Sequence, residues 1–231
     1  LKEVTIHVKL DSPGIVKLFG ATAESPYCMV MEFMENGSLR DFLKRKGQNE
    51  LSWSTRIEMA INISTGLSYL HSQKPVILHG DLKSLNILVN VSMQAKLADF
   101  GLATVKTESR SQMYASGNNT DLRGPRGTFL WLAPELFKIN EKRTTATDVF
   151  SLAIVLWELA SHRLPYDDIR DNLALIKQRV IDGHREAFDE RTSGAPEAYI
   201  KLTQQSWAKK PEERLSVGVI LQQLKDLGSH P

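Results

Sequence analysis

The sequence predicts an α+β chain, mainly helical, with a small β-hairpin and a short first part of two strands and part of one helix. Three observations predict it. Ahead of position 35 the apolar residues come in short β-type runs, at 15–19 and 28–33, joined by a loop that holds Pro26. Beyond Gly37 they recur at helical spacing in several longer stretches. Between the first two long helices lie two brief apolar runs, 87–89 and 95–98, which read as a hairpin of small strands.

Taken in order, residues 1–10 read as the end of a helix with Leu1, Val4 and Val8 on one face. Cys28, in the second strand, reads as a small buried hydrophobe. Asn36-Gly37 marks a turn, and Ser38 with Asp41 three residues on opens a helix. Its end, Lys44-Arg45-Lys46, reads as a solvated basic run. The clearest helix covers 53–71, with Ile57, Ala60, Ile61, Ser64, Leu67 and Leu70 on its stripe. The next, 149–160, is apolar on nearly all sides and is expected to be buried all round. A helix is expected at 172–181. Another at 216–227 carries Val217, Ile220, Leu221 and Leu224 as one stripe, with Ser216 as its cap. Trp53 and Trp157 read as core aromatics. A segment rich in Ser, Thr, Gly and Asn runs from 104 to 127, a length that marks a functional or a disordered loop.

Composition narrows the function classes. The chain has 231 residues, enough for one large domain or two small ones. Lys plus Arg is 29 and Asp plus Glu is 27, so the net charge is +2. That balance gives no footprint for nucleic acid or for an anionic membrane. A single cysteine excludes an internal disulfide framework and suits a reducing compartment, so a cytoplasmic location is expected. The longest apolar run, 152–157, is far short of the roughly 20 residues that span a bilayer. The chain starts at Leu1, so it is expected to be a segment of a longer protein, either a free cytosolic one or a receptor of which it is the cytosolic part.

The polar residues at the edges of the hairpin carry the chemistry. The string 79–86 reads His-Gly-Asp-Leu-Lys-Ser-Leu-Asn. Asp81 can accept a proton from an attacking hydroxyl, and Lys83 can neutralise a transferring phosphoryl oxygen. Asn86 offers an amide oxygen to a hard cation. Thirteen residues later, Asp99-Phe100-Gly101 supplies a carboxylate as a second oxygen ligand. Mg²⁺ takes oxygen ligands and usually only one or two protein carboxylates, so Asn86 and Asp99 meet its needs. Each short string alone is common as a polar turn. The ordered set, closed by Ala133-Pro134-Glu135, is much rarer.

That set resembles the protein kinase family, and D-L-K-S-x-N at 81–86 resembles its tyrosine-kinase-like group of Ser/Thr kinases. The resemblance runs from the family's C-helix to the last helix of its C-lobe. It implies a kinase-like fold, with residues 1–35 as a partial N-lobe and hinge and 36–231 as the C-lobe. It implies transfer of the ATP γ-phosphoryl group to Ser or Thr of a protein substrate, with Mg²⁺. Asp81 would be the base, Lys83 the phosphate-neutralising lysine, and Asn86 and Asp99 the metal ligands. Met31 would be the gatekeeper, Glu32, Phe33 and Met34 the hinge against adenine, and Leu88 the floor below it. Thr128 and Glu135 would belong to the substrate-facing segment. Asp148 would hold the backbone at His79, Arg214 would pair with Glu135, and Glu3 falls where the C-helix glutamate belongs.

Two departures keep rivals open. No Gly-rich loop and no strand lysine lie within the 231 residues. The segment alone is therefore expected to be inactive, with strand 28–33 left as an exposed apolar edge. The family's H-R-D is here His79-Gly80-Asp81. The absent arginine would have gripped a loop phosphate. The charges of 99–135 cancel, four against four, and no other clamp is legible, with Arg126 the nearest substitute. Control is thus expected from the C-helix or a partner domain, not from phosphorylation of Thr107, Ser109, Ser111 or Thr120. A pseudokinase scaffold and a small-molecule phosphotransferase remain as alternatives. His71 and His79 read as structural, since no metal-spaced partner accompanies them.

Overall fold

A computed structural model describes residues 2–22, 24–25, 28–47, 50–105, 128–189 and 194–229. Its helices are α1 (Lys2–His7), α2 (Leu39–Arg45), α3 (Trp53–Ser72), α4 (Thr145–Ser161), α5 (Leu173–Asp182), α6 (Glu197–Ser206) and α7 (Val217–Gly228). The strands are β1 (Leu18–Ala21), β2 (Met29–Met31), β3 (Gly37–Ser38), β4 (Ile77–Leu78), β5 (Ile87–Val89), β6 (Ala95–Leu97) and β7 (Thr104–Val105).

The strands form three small antiparallel sheets: β1 with β2, β3-β5-β6, and β4 with β7. The expected hairpin is β5–β6, in the register Ile87–Leu97 and Val89–Ala95. The stretch before β1 is stitched to it, because Val16 N–H donates to Leu97 O and Leu97 N–H to Gly14 O. The same stretch lies against α3. A Cβ on either Gly14 or Gly66 would overlap the backbone of the other, so only two glycines permit this approach.

The helices start where short polar side chains can cap them. Ser38 accepts from Asp41 N–H, Ser52 from Thr55, Asn172 from Leu175 and Ser216 from Val219. Thr144 and Thr147 form a reciprocal capping box at α4. From Val149 to Ser161 α4 is buried except at Ser151, because α3 and α6 pack on it. On α3 the stripe Ile57, Ala60, Ser64, Leu67 and Leu70 is buried, with Ile61 half-buried beside it. Trp157 is in the core, and Trp53 is half-buried, edge-on to Tyr199 at 5.4 Å. Lys44 and Arg45 are exposed as expected, with Arg45 donating to Asn36 O at 2.6 Å.

The first 35 residues depart most from expectation. The buried face of α1 is Ile6 and His7, whereas Val8 is 62% exposed. β1 begins three residues later than expected, because Ile15 and Val16 are taken into the core against β6. Cys28 is exposed and not buried, since among the described residues β2 pairs on one side only, with β1. Four elements carried no sequence signal. β3, β4 and β7 have two residues each, and α6 has Tyr199 and Leu202 as its buried apolar residues and no side-chain cap.

Candidate active site

The loop 79–86 leaves β4 and enters β5 through a single 3-10 turn at Ser84–Asn86. Its backbone is held from below by α4. Asp148 Oδ2 accepts from His79 N–H and Oδ1 from Gly80 N–H, both at 2.9 Å. His71 of α3 also reaches Asp148 Oδ2, at 2.9 Å through Nε2. Asp148 is 2% exposed and opens the helix, where a carboxylate meets the positive end of the dipole. His79 is fully buried, with Nε2 3.2 Å from Ala98 O. Burial holds its imidazole below the usual range, so it is neutral there.

Three side chains of the loop converge. Lys83 Nζ donates to Asp81 Oδ2 at 2.7 Å, and Asn86 Nδ2 donates to the same oxygen at 3.0 Å and to Asp81 O at 2.9 Å. Asp81 Oδ1 is buried with no hydrogen-bond partner among the described residues. One carboxylate oxygen is thus anchored by two donors while the other stays bare. An oxygen placed so is set to receive a proton from a hydroxyl brought within 2.6–3.2 Å.

Just after β6, Asp99 is exposed in left-handed backbone, φ 59°, with Oδ1 accepting from Gly101 N–H. Phe100 is fully buried between two imidazoles, 4.8 Å from the ring of His7 and 5.4 Å from that of His79. His7 also places Nε2 2.6 Å from Val16 O. This packing ties α1 to the hairpin edge. It also brings Glu3 close, since its Oε2 lies 3.9 Å from where a Cβ of Gly101 would stand.

The residues around the β2 end separate. Met34 is buried with Val16 and Ala98, and Leu88 packs on them. Met31 is part exposed, and the Phe33 side chain is 81% exposed. The Glu32 carboxylate is engaged elsewhere, accepting from Lys96 Nζ at 2.7 and 2.9 Å and from Lys17 N–H at 2.6 Å. Beyond the site, Arg214 donates to both oxygens of Glu135, at 2.7 and 2.8 Å, and also to Ala146 O at 2.9 Å. Thr128 opens a 3-10 turn that ends at Trp131. Gly127, Arg126 and the candidate phosphosites Thr107, Ser109, Ser111 and Thr120 lie outside the described residues.

Sequence reasoning missed two neighbours of this site. His7 is one; it lies four residues after Glu3 on α1, so the helical period put it on the same face. Arg143 is the other. Gly80 has φ +76°, and a Cβ there would stand 3.0 Å from Leu102 O and 3.1 Å from Arg143 Cδ. A guanidinium-bearing chain therefore does lie beside position 80, contributed from 63 positions away. No local string announces it.

The family pattern for protein tyrosine and serine/threonine kinases matches residues 1–224. A protein of Acanthamoeba polyphaga mimivirus that carries the name of a serine/threonine-protein kinase/receptor is 34% identical over 226 residues, 97% of this chain and 12% of its own length. The serine/threonine/tyrosine-protein kinase HT1 of Arabidopsis thaliana is 33% identical over 213 residues, 92% of this chain and 50% of its own. The receptor-interacting serine/threonine-protein kinase 2 of Bos taurus is 32% identical over 224 residues, 94% and 41%. The chain thus spans half or less of these curated relatives.

Proposed function

This chain belongs to the protein tyrosine and serine/threonine kinase family, and from that premise we propose that it supplies the phosphoryl-transfer loop of a protein Ser/Thr kinase. The observation that carries the reading is the bare, buried Oδ1 of Asp81 beside an Oδ2 fixed by Lys83 and Asn86. Asp81 receives the proton of the substrate hydroxyl at Oδ1. Lys83 holds the carboxylate in place and stands ready to share its charge with a phosphoryl oxygen. Asn86 spends its amide nitrogen on Asp81, which leaves its oxygen to meet a cation. Asp99, exposed just after β6, is the carboxylate ligand. The residues fit Mg²⁺, which needs few protein ligands. Bound with ATP, it supplies charge neutralisation at the β- and γ-phosphates.

The rest of the assignment follows the same premise. Residues 1–35 form the inner edge of the first lobe and the hinge, and 36–231 form the second lobe. Met31, Glu32, Phe33 and Met34 meet the adenine through the chain at the end of β2, and Leu88 with Met34 forms the floor. Thr128 and Glu135 belong to the segment that receives the protein substrate. The exposed thiol of Cys28 suits a reducing, cytoplasmic compartment. Among the described residues, no helix is long and apolar enough to cross a membrane.

The test is Asp81→Asn in the native protein that contains this chain. The amide keeps the contacts at Oδ2 but has no basicity. Turnover on a Ser/Thr peptide library should fall by roughly 10²–10⁴. Asp99→Asn should raise the Mg²⁺ concentration needed for half-maximal rate. Unchanged turnover in the purified Asp81 variant overturns the reading.

A further inference from the structure

Arg143 ends the loop 138–143, which follows the 3-10 turn at Pro134–Phe137 and enters α4. Its side chain is laid against the fold. Cδ and Nε lie 3.1 and 3.4 Å from the point where a Cβ of Gly80 would stand, and Leu102 O lies 3.0 Å from the same point. The stem thus lies in a corner walled by backbone at 80 and 102, left open because position 80 carries no side chain. That lodging sets the guanidinium beside the 79–86 loop, next to the residue that precedes Asp81.

Its charge has no internal match. Arg143 is exposed, and among the described residues its donors meet no carboxylate and no hydrogen-bond acceptor. Glu135 is taken by Arg214, and Asp148 by His71 and two backbone N–H groups. The loop itself adds to the imbalance: Lys138, Lys142 and Arg143 stand against one carboxylate, Glu141, and all of them are exposed. Beyond the other end of α4 the surface arginines are paired within the protein, Arg170 with Asp167 and Arg179 with Asp168. A guanidinium fixed by its stem and left without an internal partner is ready to grip an anion from outside, and its planar fork suits a carboxylate or a phosphate.

We propose, resting on the kinase reading for the acceptor hydroxyl, that Arg143 is a specificity-determining residue which binds an anionic side chain of the protein substrate a few residues from that hydroxyl. Gly80 and Asp81 are consecutive, with Cα atoms about 3.8 Å apart. An extended peptide advances about 3.3 Å per residue. One short peptide therefore spans from Asp81 Oδ1 to the Arg143 guanidinium in about two to four residues. A carboxylate brings one negative charge to this place, and a phosphate about −1.5 to −2, so the phosphate gains more.

The test uses the native protein that contains this chain and Ser peptides in an alanine background. Each peptide carries one Glu, one phosphoserine or one Lys at a single position within about four residues of the acceptor. For each, kcat/KM with MgATP is compared with that of the all-alanine peptide. The parent should favour Glu at one position by about threefold, the reach of an exposed ion pair, and phosphoserine there by about tenfold or more. Both preferences should weaken as salt is raised. A preference for phosphoserine alone supports the site with phosphate as its ligand. Arg143→Glu should abolish the acidic preference and favour Lys at the same position. Arg143→Lys, which keeps the charge and loses the fork, should keep the Glu preference and lose part of that for phosphoserine. Should Arg143→Glu not fold, Arg143→Gln must remove both. A parent with no acidic preference at any position overturns the proposal. So does an Arg143→Glu variant that loses rate equally on acidic, neutral and basic peptides, because the guanidinium then serves the chain's own fold. Fluorescence anisotropy of the same peptides, labelled and without ATP, separates this site from the kinase reading. Arg143-dependent binding of the acidic peptide by a parent that transfers no phosphoryl group leaves the anion site standing and removes the kinase reading. Transfer without Arg143-dependent selection keeps the kinase reading and overturns the site.

Discussion

Residues 79–86 and residues 28–34 both carry candidate site side chains, and the protein holds them in opposite ways. The first stretch is pinned from within. Asp148 takes two of its backbone N–H groups, and Asp81, Lys83 and Asn86 bond one another. The second is a strand paired on one side, and Val30, Met31 and Phe33 stand exposed beside it. The difference teaches where rigidity comes from. Groups that must be placed to a fraction of an ångström hang from a helix that is buried from 149 to 161 except at Ser151. Among the described residues the outer edge of β2 has no paired strand, and such a backbone can accept another strand.

That contrast can be broken by mutation, and the largest effect belongs to the pinned side. Arg214 has a fully buried side chain that bonds Glu135 twice and lies over Phe150 at 5.1 Å. Arg214→Ala leaves the half-buried Glu135 carboxylate without its partner and should cost up to about 3–5 kcal/mol in denaturant unfolding. A midpoint equal to the parent's would break the picture of a pinned lower half.

Gly80→Ala should cost less, about 1–3 kcal/mol, because a side chain must adopt a positive φ. The new Cβ also meets Leu102 O at 3.0 Å, and carbonyl backbone yields little. Arg143→Ala would clear one of the two obstacles, so the double variant should recover part of the loss. If the double variant is no better than the single one, Arg143 is not what occupies this space.

The third effect depends on pH. The Glu158 carboxyl titrates at about 7 in the folded chain against an ordinary 4.5, so the folded state holds its proton more tightly. That contribution to stability is fully present below about pH 4.5 and is lost as pH rises through about 7. Relative to Glu158→Gln, the parent should therefore lose stability between these values. Urea unfolding of both proteins across that range checks the sign, and a parallel pair of curves would refute it.

The smallest effect sharpens the other side. Val30→Thr and Phe33→Ser, both at exposed positions, should change stability by no more than about 0.5 kcal/mol. Light scattering should instead show less self-association. A large loss of stability would mean that this edge is a part of the core after all.

Helices announced themselves wherever an apolar stripe ran for three turns behind a capping Ser, Thr or Asn, as at α3, α4 and α7. The hairpin β5–β6 was legible from two short apolar runs and from the polar residues at its ends. The spaced residues from Asp81 to Asp99 were legible as a set, and the loop brings Asp81, Lys83 and Asn86 into hydrogen-bond contact. The start of β1 was not, because Ile15 and Val16 satisfy a strand pattern yet are drawn into the core against β6. Cys28 failed for a related reason: residue type argues for burial, but among the described residues β2 pairs only with β1 and Cys28 stands exposed.

By itself the sequence determined what depends on near neighbours along the chain: helix period, caps, the turn at Gly37, and the order of the polar residues around the hairpin. The tertiary structure alone decided the long-range pairings. It placed His71 on Asp148, Arg143 beside Gly80, His7 against Phe100, and Ser84 and Trp131 on one carboxylate. Backbone propensity and periodicity act over three or four residues, whereas a buried polar group takes its partner from whichever element the packed core brings within about 3 Å.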